Sequence, residues 1–467
     1  MIAKIWKYHK LPLLLSLVSL LLYYYFGNIL IRSNFYTLFG LYTSLFILFY
    51  FIVKKGKTDF WLLAGIAILF RLVFLPLIPN LSQDFYRFIW DGRMLIQGFN
   101  PYLTTPQSFI EANQFSIVSQ AQELYNGMGE LNGSHYTNYP PLNQLCFAMA
   151  SLLGGKSIAG VAAMLRIIII AADIGIIIIG KKLLQRLGLP IHNIFWYALN
   201  PFIIIEMTGN LHFEAVMVFF VVWSLYLLIK GRWIWSAVLF AFSISLKLLP
   251  LLLLPFFFQY FLSQNGKMKW YRLRETIKNL PKLVYFYIII LTVIALSFAP
   301  FLTGQFAENF AATISLWFKN FEFNASIYYL IRWYGYQTIG WNIIADVGPK
   351  LPLYVIALIL LITFLRNNKK MISMITAMVF GISAYFLLST TVHPWYLATP
   401  LVLCVFTRYR FPLVWSFTIM LSYSAYGPEG FNENLALVAL EYGIVIGYFI
   451  WEVFTLGRKK SYFLVAR

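Results

Sequence analysis

The chain has 467 residues, of which 60% are hydrophobic, 19% aromatic and only 11% charged. An ordinary soluble domain is about a quarter charged, so these proportions exclude one and leave a polytopic membrane protein. The net charge of +19 does not indicate a nucleic-acid partner, because the basic residues fall in short clusters between apolar runs and form no continuous basic face.

Residues 1–10 have the basic start of a signal peptide, and residues 11–25 follow as an apolar run. No small-residue cleavage site comes after them, so the segment is expected to stay as a first helix. A spanning helix needs about 20 mostly apolar residues. Runs of that kind cover 11–31, 34–53, 60–78, 160–180, 193–208, 213–230, 233–260, 283–302, 351–365, 371–390, 395–407, 411–426 and 436–456. The expected fold is all-α: one integral-membrane domain over 1–467 with about 11–14 crossings. Residues 79–140 form a helical first external loop, and residues 303–350 a second.

Orientation follows from lysine and arginine in the short loops. Lys54, Lys55 and Lys57 form one cluster, and Lys181, Lys182 and Arg186 another. The segment from Lys267 through Lys269, Arg272, Arg274 and Lys278 to Lys282 is a third, followed by Arg366, Lys369 and Lys370 and by Arg458, Lys459 and Lys460. All become cytoplasmic if the N-terminus is inside, which leaves residues 79–140 outside. Two conditions keep the parity. Residues 142–153 must be re-entrant or in-plane, and 233–260 must cross twice with a break at Pro250 or Pro255.

Residues 82–93 read Ser-Gln-Asp-Phe-Tyr-Arg-Phe-Ile-Trp-Asp-Gly-Arg, at the boundary of the third apolar run. As a helix, this segment puts Asp84, Arg87 and Asp91 on one face. Asp84 and Asp91 then stand about 10 Å apart along the axis, too far to share a proton, so separate roles are expected. One carboxylate can take a proton from an attacking hydroxyl while the other orients a sugar or pairs with Arg87. The alternative is an interfacial amphipathic helix anchored by Tyr86 and Trp90.

The same segment, with Gly98-Phe99-Asn100-Pro101-Tyr102 and Tyr139-Pro140-Pro141-Leu142, resembles the first-loop pattern of the GT-C integral-membrane glycosyltransferases. The likeness is greatest to the polyprenol-phosphate-mannose-dependent mannosyltransferases, and it continues through Asn200-Pro201, Asn210-Leu211-His212-Phe213-Glu214, Lys247-Leu248-Leu249-Pro250 and His393-Pro394-Trp395-Tyr396. In some branches of the family a second acid stands two residues after the first. Here that position is Tyr86, so no Asp-x-Asp metal site is expected and no cofactor is implied.

The resemblance implies an inverting transfer of a hexose, mannose by analogy, from a polyprenyl-phosphate sugar to a glycan or glycolipid acceptor. The site would face outward, in a bacterial inner membrane. It also implies Asp84 as general base and Asp91 as a sugar-orienting or secondary acid. Arg87, Arg93 and Tyr102 are candidate substrate contacts from the first loop. His393 precedes Pro394 at a helix start, where an anion is favoured, although a headgroup-level His-Trp-Tyr anchor has the same signature. Tyr396 belongs to the same motif. Lys247 stands in an apolar run and must snorkel or meet an anion, for which the lipid phosphate is a candidate. Arg332 could act similarly, and Asn324, His212 and Glu214 complete the candidate substrate contacts. His212 and Glu214 have no third ligand nearby for zinc.

Arg166 and Asp173, seven residues apart on one apolar helix, read as a buried structural pair. Asn132 and Asn324 open formal glycosylation sequons. Cys146 and Cys404 are far apart in apolar surroundings and suggest neither a disulfide nor a metal cluster. A secondary transporter or lipid-linked sugar flippase is the alternative function. It would be expected to show inverted repeats, and none is evident.

Overall fold

The computed structural model describes residues 2–263 and 273–465. Lys267, Lys269 and Arg272 of the third basic cluster lie outside the described residues. In chain order, the helices that frame the site are α1 (Ile2–Asn28), α2 (Phe35–Gly56), α3 (Phe60–Leu72), α4 (Asp84–Ile96), α5 (Pro141–Gly154) and α6 (Ile158–Leu187). They continue as α7 (Glu214–Ile229), α8 (Trp233–Leu246), α9 (Leu273–Phe298), α10 (Gly304–Lys319), α11 (Ile327–Thr338), α12 (Leu351–Leu365), α13 (Met371–Leu388) and α14 (Leu435–Val465). The fold is all-α, with one two-residue hairpin among the described residues, pairing Tyr426–Gly427 with Gly430–Phe431.

Among the described residues seven helices are long and apolar enough to cross a membrane, or eight if a bent pair counts as one span. The 11–14 crossings expected from apolar runs exceed this number because several runs fold as shorter helices. At 1.5 Å per residue, the 13 residues of α3 reach about 20 Å, and the turns through Leu77 must carry the chain over the rest of the roughly 30 Å hydrocarbon core. The bent pair joins residues 201–209 to α7 at 116°. A π-helix at Ile204–Gly209 ends its first arm, and Leu211 turns the corner at φ +64°. Such π segments are frequent at functional sites.

Capping fixes the helix starts that lead to the site. The Asn34 side chain accepts from the Thr37 amide at α2, Asp59 from Leu62 at α3, and Ser157 from Gly160 at α6. These contacts satisfy N–H groups that the first turn leaves open. α4 and α5 pack on each other and on α6, which packs on α7. The α4–α5 approach is close. The Phe88 and Phe147 rings stack at 4.5 Å, and a Cβ on Gly92 would collide with the Phe147 carbonyl. α5 is a 14-residue helix with one polar face, Asn143, Gln144 and Ser151, buried, while Leu145, Met149, Leu152 and Leu153 are exposed on the other.

The sequence pairs Arg166 with Asp173, and the structure gives each a different partner. Asp173 Oδ2 accepts from Arg71 Nε at 2.7 Å. Arg166 donates only to backbone carbonyls, those of Leu75, Leu77, Thr208 and Gly209 at 2.7–3.1 Å. Seven residues on one helix face put the two side chains about 10 Å apart, so each reaches across to another element instead. Arg166 thereby ties the exit of α3 to the π-helix.

The break in 233–260 lies earlier than either proline. α8 ends at Leu246, Lys247 is extended at φ −149°, ψ 140°, and a 3-10 stretch, Leu249–Phe256, follows. Pro250 fits the first turn of that stretch, where a missing N–H costs nothing.

Candidate active site

Asp84 opens α4. Its own amide donates to Ser82 Oγ at 3.3 Å, and its Oδ1 accepts from Asn132 Nδ2 at 3.3 Å. A carboxylate at this end of a helix is favoured by the dipole. Burial nevertheless holds its pKa above the ordinary carboxylate value, against the pull of Asn132, Lys247 and Arg32. Asp84 is only partly buried and, among the described residues, forms no ion pair within 4 Å, so one carboxylate oxygen stays available to an incoming group.

Asp91, on the same face, is fully buried and saturated. Its Oδ1 accepts from Arg87 Nε at 2.8 Å and its Oδ2 from Gln144 Nε2 at 2.9 Å. Arg87 Nη1 donates onward to the carbonyls of Asn132 at 2.7 Å and His135 at 2.8 Å. Asn132 is also the residue whose amide holds Asp84. The acids are therefore linked in series, Asp91 to Arg87 to Asn132 to Asp84, and Asp91 acts on the first carboxylate through the loop.

Arg93 and Tyr102 are structural in the same sense. Buried Arg93 donates to the carbonyls of Ser119 and Lys156 and to Gln120 Oε1. The Tyr102 hydroxyl donates to the Tyr139 carbonyl at 2.6 Å, and its ring packs among Phe301, Phe306 and Phe310.

The chain break at Lys247 turns its ammonium onto Glu214, at the first turn of α7. Lys247 also lies over the Tyr139 ring at 5.8 Å and within electrostatic reach of Asp84. Beside it runs a stack of four rings. His212 lies on Trp395 at 3.8 Å, Trp395 on His393 at 4.5 Å, and His393 on Phe323 at 5.1 Å. Both faces of Trp395 are thus occupied by imidazoles, which leaves the indole no free face to stack a sugar. The His393 imidazole is pushed down to about 3, by burial first and then by the charge of Lys247, so it is neutral. Tyr396 packs edge-on to His393 and within the field of Asp84 and Glu214.

Asn324 is at the next position after Phe323, in the left-handed region at φ +46°. Two carboxylates hold it there. Its amide N–H donates to Glu433 Oε1 at 2.6 Å and its side chain to both oxygens of Glu441 at 3.3 Å. The Tyr442 hydroxyl donates to its carbonyl at 2.6 Å. Asn324 consequently shapes the wall that carries Phe323, and its amide is buried away from a glycosylating enzyme. Arg332 is paired with Glu322 and lies over the Tyr329 ring at 4.1 Å, and the Tyr329 hydroxyl donates to Glu433.

The site thus gathers Asp84, His212, Glu214, Lys247, His393 and Tyr396, with Asn324 behind the wall. Arg87, Asp91, Arg93 and Tyr102 brace the first loop, and Arg332 packs on Tyr329, which reaches Asn324 through Glu433. Two residues went unseen in the sequence. Glu206, on the π-helix, accepts from Tyr423 Oη at 2.7 Å and from Asn210 Nδ2 at 3.2 Å. Arg32, in the turn between α1 and α2, donates to the Leu81 carbonyl at 2.9 Å and lies 3.7 Å over the Tyr426 ring. A signal for Arg32 existed, since the expected topology makes it a lone arginine in a short external turn, against the charge bias of such turns. Among the described residues, no group of three or more histidine, cysteine or acidic side chains is arranged to hold a metal ion.

Residues 17–263 match the family described as alpha-(1->6)-mannopyranosyltransferase, N-terminal domain. Two curated relatives are similar to the chain. The alpha-(1->6)-mannopyranosyltransferase A of Corynebacterium glutamicum is 29% identical over 189 residues, covering 39% of this chain and 36% of that protein. The protein of the same name from Mycobacterium tuberculosis is 21% identical over 221 residues, covering 47% of this chain and 41% of that one. The chain therefore spans well under half the length of the curated relatives it matches.

Proposed function

The chain belongs to the alpha-(1->6)-mannopyranosyltransferase family, and from that premise we propose that it is a membrane mannosyltransferase with Asp84 as its general base. The donor is a polyprenyl-phosphate sugar, and the acceptor a glycan or glycolipid reaching the site from the outer face. The acceptor hydroxyl attacks the anomeric carbon and gives its proton to Asp84 as the bond from that carbon to the phosphate oxygen breaks. The anomeric centre inverts, and the lipid phosphate leaves with the bonding electrons.

One observation carries this reading. Of the two acids on the α4 face, Asp84 alone is half-open and free of an ion pair, while Asp91 is buried and saturated. Burial raises the affinity of Asp84 for a proton, which suits a base that must take one in the transition state. The Lys247–Glu214 pair, neutral as a unit, and Tyr396 are positioned to orient sugar hydroxyls beside it.

Asp84→Asn tests the assignment. We expect donor binding and folding to persist while kcat falls about 10²–10⁴-fold, the usual contribution of general-base catalysis. Transfer would be followed by mass spectrometry with purified protein and polyprenyl-phosphate mannose. A folded Asp84→Asn protein that turns over at the wild-type rate would remove Asp84 from the chemistry.

A further inference from the structure

We propose that Arg32, in the turn between α1 and α2, is the residue that holds the phosphate of the lipid donor and stabilises it as it departs. This rests on the transferase reading above and names the ligand of one part of its site.

The argument proceeds by charge. A departing phosphate gains negative charge as the bond to the anomeric carbon breaks, and a cation fixed beside it lowers the barrier. The cations around the site are mostly committed elsewhere. Lys247 is neutralised by Glu214, Arg332 by Glu322 and Arg87 by Asp91. Arg93 is sealed among carbonyls. His393 carries no charge near neutral pH.

Arg32 differs from these in its direct contacts. They are neutral: one N–H to the Leu81 carbonyl and the face of the Tyr426 ring. Among the described residues it forms no ion pair within 4 Å, and it is only partly buried. Four of the five N–H donors of its guanidinium are left for another acceptor, in a planar fork that matches two phosphate oxygens.

Its two contacts also place it. Leu81 stands three residues before Asp84, and the Leu81 amide donates to Asn210 on the other side of the peptide. Tyr426 packs on Phe323 at 6.0 Å, and Phe323 stacks on His393. Arg32 therefore joins the strand of chain carrying the base to the aromatic wall opposite, within the electrostatic field of Asp84.

The test uses the full chain in phosphatidylcholine nanodiscs. The affinities of a short polyprenyl phosphate and of the matching uncharged polyprenol are measured for wild type, Arg32→Gln and Arg32→Lys. Losing a charge-assisted hydrogen-bond pair should weaken polyprenyl phosphate about 10- to 100-fold in Arg32→Gln. Arg32→Lys should lose less, and polyprenol affinity should not change in either. Phosphate-lipid affinity equal to wild type in Arg32→Gln overturns the proposal. So does an equal loss for polyprenol in both variants, which would mean a collapsed groove. Displacement of the lipid by equimolar inorganic phosphate or phosphatidylglycerol would show a general anion site and also overturns it. If wild type binds polyprenyl phosphate no better than polyprenol, the transferase reading fails and this proposal with it. If wild type binds and transfers while Arg32→Gln matches it, only the assignment of Arg32 fails.

Discussion

At the residue scale, Asp84 and Asp91 show how far spacing can be trusted. Intervals of three, four and seven put both acids and Arg87 on one helical face, and they are on it. What each does depends on partners far along the chain, Asn132 for one and Gln144 for the other, and no local pattern announces them. The difference has a titratable consequence. A base acts only when deprotonated, and burial holds Asp84 above its ordinary value of 3.8. The acid limb of kcat/KM should therefore fall at a pH above that value, with activity lost as pH drops through the raised pKa. The limb should vanish in the residual activity of Asp84→Asn. His393, held near 3, should add no second limb near neutrality, and a pH–rate profile of His393→Gln with the wild-type shape would agree.

At the element scale, α4 is a lever clamped at one end. Asp91 and Gly92 fasten it to α5, and the Arg87 link carries that fixation to Asn132 and so to Asp84. Asp91→Asn keeps the shape of the acid but strands a buried guanidinium, which costs about 3–5 kcal/mol. We expect a clear drop in melting temperature by scanning fluorimetry. Activity per folded molecule should fall less than in Asp84→Asn, because the acid is reached only through the loop. The helices themselves were legible from their apolar runs, and α5 was expected to stop short of a crossing. The breaks were less so. Prolines drew attention to 250 and 255, whereas the chain turns at Lys247, where an ammonium swings onto Glu214. The break coincides with the pairing of a half-buried ammonium and a buried carboxylate, and only tertiary structure shows where that charge goes.

At the scale of the whole molecule, two of the basic clusters and the candidate site lie toward opposite ends of α6. Lys181, at the far end of α6, lies 4.4 Å over Phe60 and 4.6 Å over Trp61, beside the end of α2 that carries Lys54 and Lys55 and the cap residue Lys57. At its near end α6 starts just after Lys156, whose carbonyl accepts from Arg93. Two of the basic clusters thus share one end, as expected from their charge. Placing single cysteines at Ser134 and Lys182 in a variant without Cys146 and Cys404 checks the orientation. A membrane-impermeant maleimide applied to intact cells should label the first and spare the second. Labelling of both or neither would break the topology on which the outward-facing donor depends.

The hold on Asn324 also bears on the order of synthesis. Asp84, its bracing loop and the Lys247–Glu214 pair are all made before residue 250, but the wall across from them is fixed by Glu433 and Glu441, far later in the sequence. A nascent chain stopped short of residue 433 would carry Asp84 with that wall unfixed. The pocket around Asp84 is thus completed by residues made about 350 positions after it, so its assembly waits for Glu433 and Glu441 to reach Asn324.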